Sequence, residues 1–271
     1  MFEDFWKNKI KYTQYYDENG LNGPEILYYD NGKTHTNSFY INNNLENEKY
    51  IYTQSQKLYR KDLLTSNLTL TSTFYLLDTP TTFDYTDKNG KFIIKETAAI
   101  SKTVELKNGQ LHGTSVKQAG NLVLNKENYV NNVLHGKQIY NAPTVKLMFE
   151  VDYFAGKRHG KSNQYDHLGN PINSTQFEWG KENALRTVFI PGINKKSNEV
   201  NYINDQRHGT NTIFGTNGET LAIIHYYYDT PTSYQTVDKN GELSSKTPFT
   251  KETNKIESHY RNGKKALEIN F

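Results

Sequence analysis

The sequence predicts an all-β protein: an elongated antiparallel meander of about ten two-stranded β-hairpin repeats. Three observations lead there. A His-Gly pair returns at His112-Gly113, His135-Gly136, His159-Gly160 and His208-Gly209; the first three histidines are 23 and 24 residues apart, and the last interval, 49, is about twice that. Self-similarity at roughly 20–50 residues marks a stacked array. The 21 Tyr and 13 Phe stand against only 2 Met, and hydrophobic residues make up 35% of the chain. Aromatic and β-branched residues suit half-exposed pleated strands, whereas a conventional globule buries aliphatic blocks. Finally, no segment holds a 3.6-residue apolar period between helix caps.

Taken in order, the chain opens with Tyr12, Tyr15 and Tyr16 before the turn at 17–20, a half-repeat suited to covering an edge strand. A ruler then runs through it. An aromatic stands six residues before each His position: Tyr29, Tyr52, Tyr75, Tyr129, Tyr153, Phe177, Tyr202, Tyr226 and Tyr260, with Leu106 the apolar exception. Degenerate repeats fill 12–103, clear ones 104–228 and degenerate ones 229–271, all within one continuous domain spanning 1–271. Residues 29–36 copy the motif with Thr36 for its last Gly, and 177–184 carry Asn183 and Ala184 in place of His-Gly. Each full repeat holds two turn signals, one like Asn108-Gly109 and one like Leu168-Gly169 or Asn217-Gly218. Asn-Gly favours hairpins because both residues tolerate positive φ. Ruler residues such as Tyr129 and Tyr153 are expected to pack in the core of the sheet.

Composition narrows the function classes. The 32 basic and 29 acidic residues are dispersed, so no concentrated basic face points to nucleic acid or to an anionic membrane. There is no cysteine, hence no disulfide and no thiolate metal site. No 18-residue apolar span occurs, so stable membrane insertion is not expected, and a cytoplasmic protein is. Equivalent histidines in successive hairpins would lie about 9–10 Å apart, twice the strand spacing. Metal-bound imidazole nitrogens sit about 2.0–2.1 Å from the ion. The His ladder therefore predicts turn-fixing side chains and no metal. No motif sets a nucleophile beside a base, so neither catalytic residues nor a cofactor are expected; a site formed between hairpins stays open as a third reading.

The pattern Tyr-x-Asn-Gly-x-x-His-Gly, followed by a strand and another Gly turn, resembles the bacterial variant of the MORN repeat. Residues 29–36, 129–136, 153–160 and 202–209 carry it best, with departures at Asn132, Ala155 and Asp205. The resemblance implies MORN-like hairpins and an antitoxin or immunity role of the YwqK type: a non-enzymatic protein that neutralises a toxic effector by stoichiometric binding. Its partner would be a protein, a cognate toxin. The alternative it implies is a MORN-type structural scaffold for protein assembly, at a membrane surface. Ruler aromatics are assigned to structure. Off-ruler groups in the clear repeats, Arg158, Trp179, Arg207, Tyr227 and Tyr228, are the candidates for a partner surface, being of residue types that dominate interfaces.

Overall fold

The computed structural model of the chain describes residues 2–6, 9–142, 146–238, 240–253, 255–260 and 262–270, with side chains described from Ile10 onward. These residues form an all-β fold of antiparallel hairpin strands, with no helix among them. Contacts divide the chain into two compact units, 1–133 and 134–271.

In the first unit, eight strands pair strictly in chain order: β1 (Phe2–Trp6), β2 (Lys9–Asp17), β3 (Gly20–Tyr28), β4 (Thr34–Ile41), β5 (Asn44–Tyr52), β6 (Leu58–Thr65), β7 (Leu68–Phe74) and β8 (Thr81–Asp84). A second meander follows with β9 (Gly90–Lys95), β10 (Ile100–Lys107), β11 (Gln110–Leu111), β12 (Gly113–Ala119) and β13 (Leu122–Val130). Phe74, Ile94, Val104 and Leu106 are buried together, with Leu77, Phe83, Tyr85, Phe92 and Leu111 packed on them. This cluster joins the end of one meander to the start of the next.

β14 (Val133–Leu134) straddles the division. The second unit continues with β15 (Gly136–Asn141), β16 (Leu147–Phe154), β17 (Lys157–Tyr165), β18 (Pro171–Glu178), β19 (Lys181–Ile190), β20 (Lys195–Ile203), β21 (Gln206–Phe214), β22 (Thr220–Tyr227), β23 (Thr230–Thr236) and β24 (Thr247–Pro248). β15 to β24 again pair in chain order. Cross-strand register lines up one row through Gln138, Val151, Ser162, Thr175, Arg186, Val200, Asn211 and Ile224. Gln138, Val151, Ser162, Thr175, Val200 and Ile224 in that row are buried. Most are small or β-branched, which suits a close-packed face flanked by larger rings. The hairpin β25 (Lys255–His259) and β26 (Lys265–Asn270) closes this face. Its Ile256 packs with Ile224 and Tyr226, and the Ser258 hydroxyl donates to the Leu221 carbonyl at 2.6 Å.

Within each unit, the two-residue turns explain the repeat length. Two-residue turns at 42–43, 66–67, 108–109, 131–132, 155–156, 179–180, 204–205 and 228–229 hold both residues at positive φ. Each turn is tied back to the preceding hairpin. The Asn43, Asn67, Asn132, Asp205 and Asp229 amides donate to the carbonyls of Leu21, Leu45, Leu111, Glu182 and Arg207. In return, their side-chain oxygens accept the amide hydrogens of those same residues at 2.6–3.1 Å. A two-way clamp between neighbouring turns, 21 to 23 residues apart, is what the sequence period records.

The longer loops are built differently, and this corrects the reading of 29–36. Tyr29 to Lys33 close a five-residue loop in which the Tyr29 amide donates to Lys33 and the Gly32 amide to Tyr29. The loops 53–57, 166–170, 215–219 and 260–264 share that closure. Asn31-Gly32 is therefore equivalent to Asn217-Gly218, not to Asn131-Asn132. Tyr29, Tyr52 and Tyr260 mark the five-residue loops, while Leu106, Tyr129, Tyr153, Phe177, Tyr202 and Tyr226 mark the two-residue turns. Asn-Gly supplies positive φ to either turn, so the dipeptide alone does not separate them.

Ruler depth also differs from expectation. Leu106, Phe177 and Tyr226 are buried, but Tyr129 and Tyr153 are only half-buried. The strand phase is correct, since residues two places earlier on the same face, Val104, Val151, Val200 and Ile224, are buried. All of these ruler residues sit two residues before a turn; the deeper ones gain cover there, Phe177 and Tyr226 from Arg158 and Arg207, which lie 4.1 and 4.3 Å over their rings, and Leu106 from its apolar cluster. The Gly of each His-Gly has its own reason. Gly160 sits at φ +105 opposite an irregularity in β16, and a Cβ there would meet that of Asp152 at 3.0 Å. At the degenerate copy Ala184 adopts φ +70 in the same place.

Candidate functional site

The two-residue-turn edge of the second unit carries the exposed aromatic residues that need explaining. The first turn position is left-handed in every copy, a conformation that Asn adopts readily and bulky residues resist. Asn42, Asn108, Asn131 and Asn204 fill it in four copies. Trp179 (φ +51) and Tyr228 (φ +44) fill it in two others. Large aromatic residues held left-handed cost about 1–3 kcal/mol each and persist where something over-determines them. Burial does not supply the reason: Trp179 is 51% exposed and Tyr228 43%.

Around each of them a small aromatic cluster forms. Phe154, 44% exposed, meets Trp179 edge-on with ring centroids 5.5 Å apart. His159 lies 5.3 Å from Trp179 and 5.9 Å from Phe154, and His135 stands 5.0 Å from Phe154. The Trp179 amide donates to His159 Nδ1 at 3.4 Å, so this histidine does brace a turn. One double repeat further on, His208 lies 4.6 Å from Tyr228 and 5.2 Å from Tyr227, which is itself 62% exposed. Between the two clusters Asn183 replaces the histidine and bonds Glu178 instead. Two hairpins separate the clusters, about 19–20 Å at the usual strand spacing.

Side chains alternate across a strand, so the five sequence candidates divide between two faces. Arg158 pairs with Tyr153 and lays its guanidinium 4.1 Å over the Phe177 ring; Arg207 pairs with Tyr202 and lies 4.3 Å over Tyr226. Both arginines thus belong to the ruler face. Tyr227 adjoins Tyr226 and points the other way, with Tyr228 and His208; Trp179 does likewise with Phe154 and His159. Phe154 was not singled out from sequence, and His159 and His208 were read there as turn-fixing motif residues, not as part of a partner surface. Their signal was present: Phe154 directly follows a ruler residue, and both histidines belong to the repeated pair.

Arg207 is half-buried and its Nε donates to Asp229 at 2.9 Å. That bond holds the Asp229 carboxyl below its usual range and raises the guanidinium further. Among the described residues no group of three His, Asp or Glu side chains is arranged to hold a metal, and no helix is long and apolar enough to cross a membrane.

A second polar cluster lies inside the first unit. Lys117 Nζ is 2.5 Å from the buried Glu96 carboxylate, which also accepts from the Tyr59 hydroxyl. Nearby, Asp62 accepts from Ser72 at 2.6 Å and pairs with Arg60 at 2.9 Å. Burial alone would raise the Glu96 pKa, but the bonds from Lys117 and Tyr59 outweigh it and leave it lowered. Every acid here has a partner, which is how a buried polar network holds a fold.

No family model matches the sequence, and no curated protein matches it. Over 96% of its length the chain is similar to a chain of the Photorhabdus luminescens Tc holotoxin pore, at 10% identity and a TM-score of 0.21. The match spans 17% of that chain. At that TM-score the likeness carries no weight for fold or function.

Proposed function

We propose that this chain is a non-enzymatic protein-binding repeat protein of the bacterial MORN-variant kind, an antitoxin or immunity protein that neutralises a toxic effector by stoichiometric binding. One observation carries the binding part: Trp179 and Tyr228 occupy strained left-handed turn positions while remaining exposed. The other copies show that Asn fits those positions, so the aromatic rings serve something outside the chain. Exposed Trp and Tyr are the residue types that anchor protein interfaces, and stacked hairpins hold them rigidly, which limits the entropy lost on association. The antitoxin part rests on the repeat resemblance alone.

Co-expression with the product of a toxin-like neighbouring gene tests this reading. Growth should be rescued and the two chains should co-purify at a fixed ratio. Rescue at strongly sub-stoichiometric levels, without a complex, would mean that the protein turns something over.

A further inference from the structure

Two repeats of the second unit hold equivalent arginines with different partners. With an offset of 49 residues, Arg158 corresponds to Arg207, Phe177 to Tyr226, Trp179 to Tyr228 and Gly180 to Asp229. The backbone agrees: the Gly180 amide donates to the Arg158 carbonyl at 2.7 Å, as the Asp229 amide does to Arg207 at 2.9 Å. Each guanidinium carbon lies over its ring, 4.1 and 4.3 Å from the centroid. At the arginine the two repeats differ in what stands against the guanidinium. Asp229 places a carboxylate against the Arg207 Nε at 2.9 Å, and glycine leaves that place empty beside Arg158. Among the described residues Arg158 makes no ion pair and its side chain donates no hydrogen bond, and it is exposed.

We infer that Arg158 is a recognition position for a carboxylate, an Asp or Glu side chain supplied by the partner protein at the place Asp229 occupies in the later repeat. The inference rests on the reading of this edge as a protein-binding surface. Three features fit a carboxylate in particular. Phe177 lies 4.1 Å beneath the guanidinium carbon, while the side-chain N–H groups find no acceptor among the described residues, and a carboxylate matches a guanidinium fork. The Arg207–Asp229 pair shows that this backbone frame accommodates such a contact. The stack also fixes the arginine in advance, so less side-chain freedom is lost when the acid arrives.

The frame supplies its own test. Gly180 sits at φ +91, and a Cβ there would meet only Lys157, at 3.9 Å. Asp205 and Asp229 already occupy the equivalent turn position at φ +70 and +62, so an Asx residue fits. Gly180→Asp would give Arg158 an internal carboxylate, and Gly180→Asn would give the same shape without charge. Peptides selected from a random twelve-residue library against the full wild-type chain would be measured against both variants, against Trp179→Asn and against Arg158→Gln. We expect binders whose affinity falls about tenfold with Gly180→Asp and with Arg158→Gln, is kept with Gly180→Asn, and falls about tenfold when their own Asp or Glu becomes the amide. Binders that depend on Trp179 yet ignore Gly180→Asp, Arg158→Gln and amide replacement would overturn the carboxylate position and leave the protein-binding edge standing. A library yielding no binder sensitive to Trp179 or Arg158 would overturn both.

Discussion

At the scale of single residues, the left-handed turn position separates structure from function. Trp179→Asn should relieve about 1–2 kcal/mol of backbone strain and forfeit aromatic contacts worth about 0.5–1.5 kcal/mol, so stability should change by less than about 1 kcal/mol. Affinity for a partner should fall by about 2 kcal/mol, near thirtyfold, if Trp179 anchors the interface. Denaturant melts beside a binding titration check this; a large stability loss with unchanged affinity would assign the ring to the fold. Ala184 offers the converse case. It stands at φ +70 where glycine takes +78 to +105 in the four His-Gly copies, so Ala184→Gly should stabilise the chain by about 0.5–1 kcal/mol. A loss on thermal melting would mean that the Ala184 methyl packs usefully.

At the scale of the hairpin, the turn clamp and the buried polar network carry the stability. Asn132→Ala removes the acceptor for the Leu111 amide and puts alanine at φ +64, which should cost about 1–2 kcal/mol. Faster hydrogen exchange at Leu111 should accompany it; unchanged exchange there would argue against the clamp. In the first unit, Glu96→Gln leaves Lys117 without its partner and should cost about 2–4 kcal/mol. Because the folded pKa of Glu96 lies below its ordinary 4.5, its contribution is full above that pH and is lost as pH falls through the folded value. Acid unfolding curves of wild type and Glu96→Gln should therefore converge as pH drops below about 4.5. A constant gap between them would assign the acid dependence elsewhere. None of this network was legible in the sequence, because Tyr59, Glu96 and Lys117 meet across strands 21 to 58 residues apart, and no motif encodes that meeting.

At the scale of the whole chain, the repeat was legible because its period is set by a chemical act shared by the eight two-residue turns: the second turn amide bonds the turn before, joined by an Asx side chain in five of the eight. Strand content followed from composition. What escaped was phase, since Asn31-Gly32 and Asn131-Asn132 look alike in sequence yet close turns of different kinds. The five candidate residues were legible as surface types in clear repeats. Their division between two faces was not, because it depends on which neighbour of the ruler each residue is. The histidine partners of Trp179 and Tyr228 were visible as a motif but read only as turn braces. We propose that this edge of 134–271 receives a protein. Hydrogen–deuterium exchange on the complex with the product of the toxin-like neighbouring gene tests it most directly. Protection should concentrate at 154–160, 177–183 and 226–230, with the five-residue loops at 166–170 and 215–219 unchanged; protection confined to those loops, or to residues 1–133, would contradict the account.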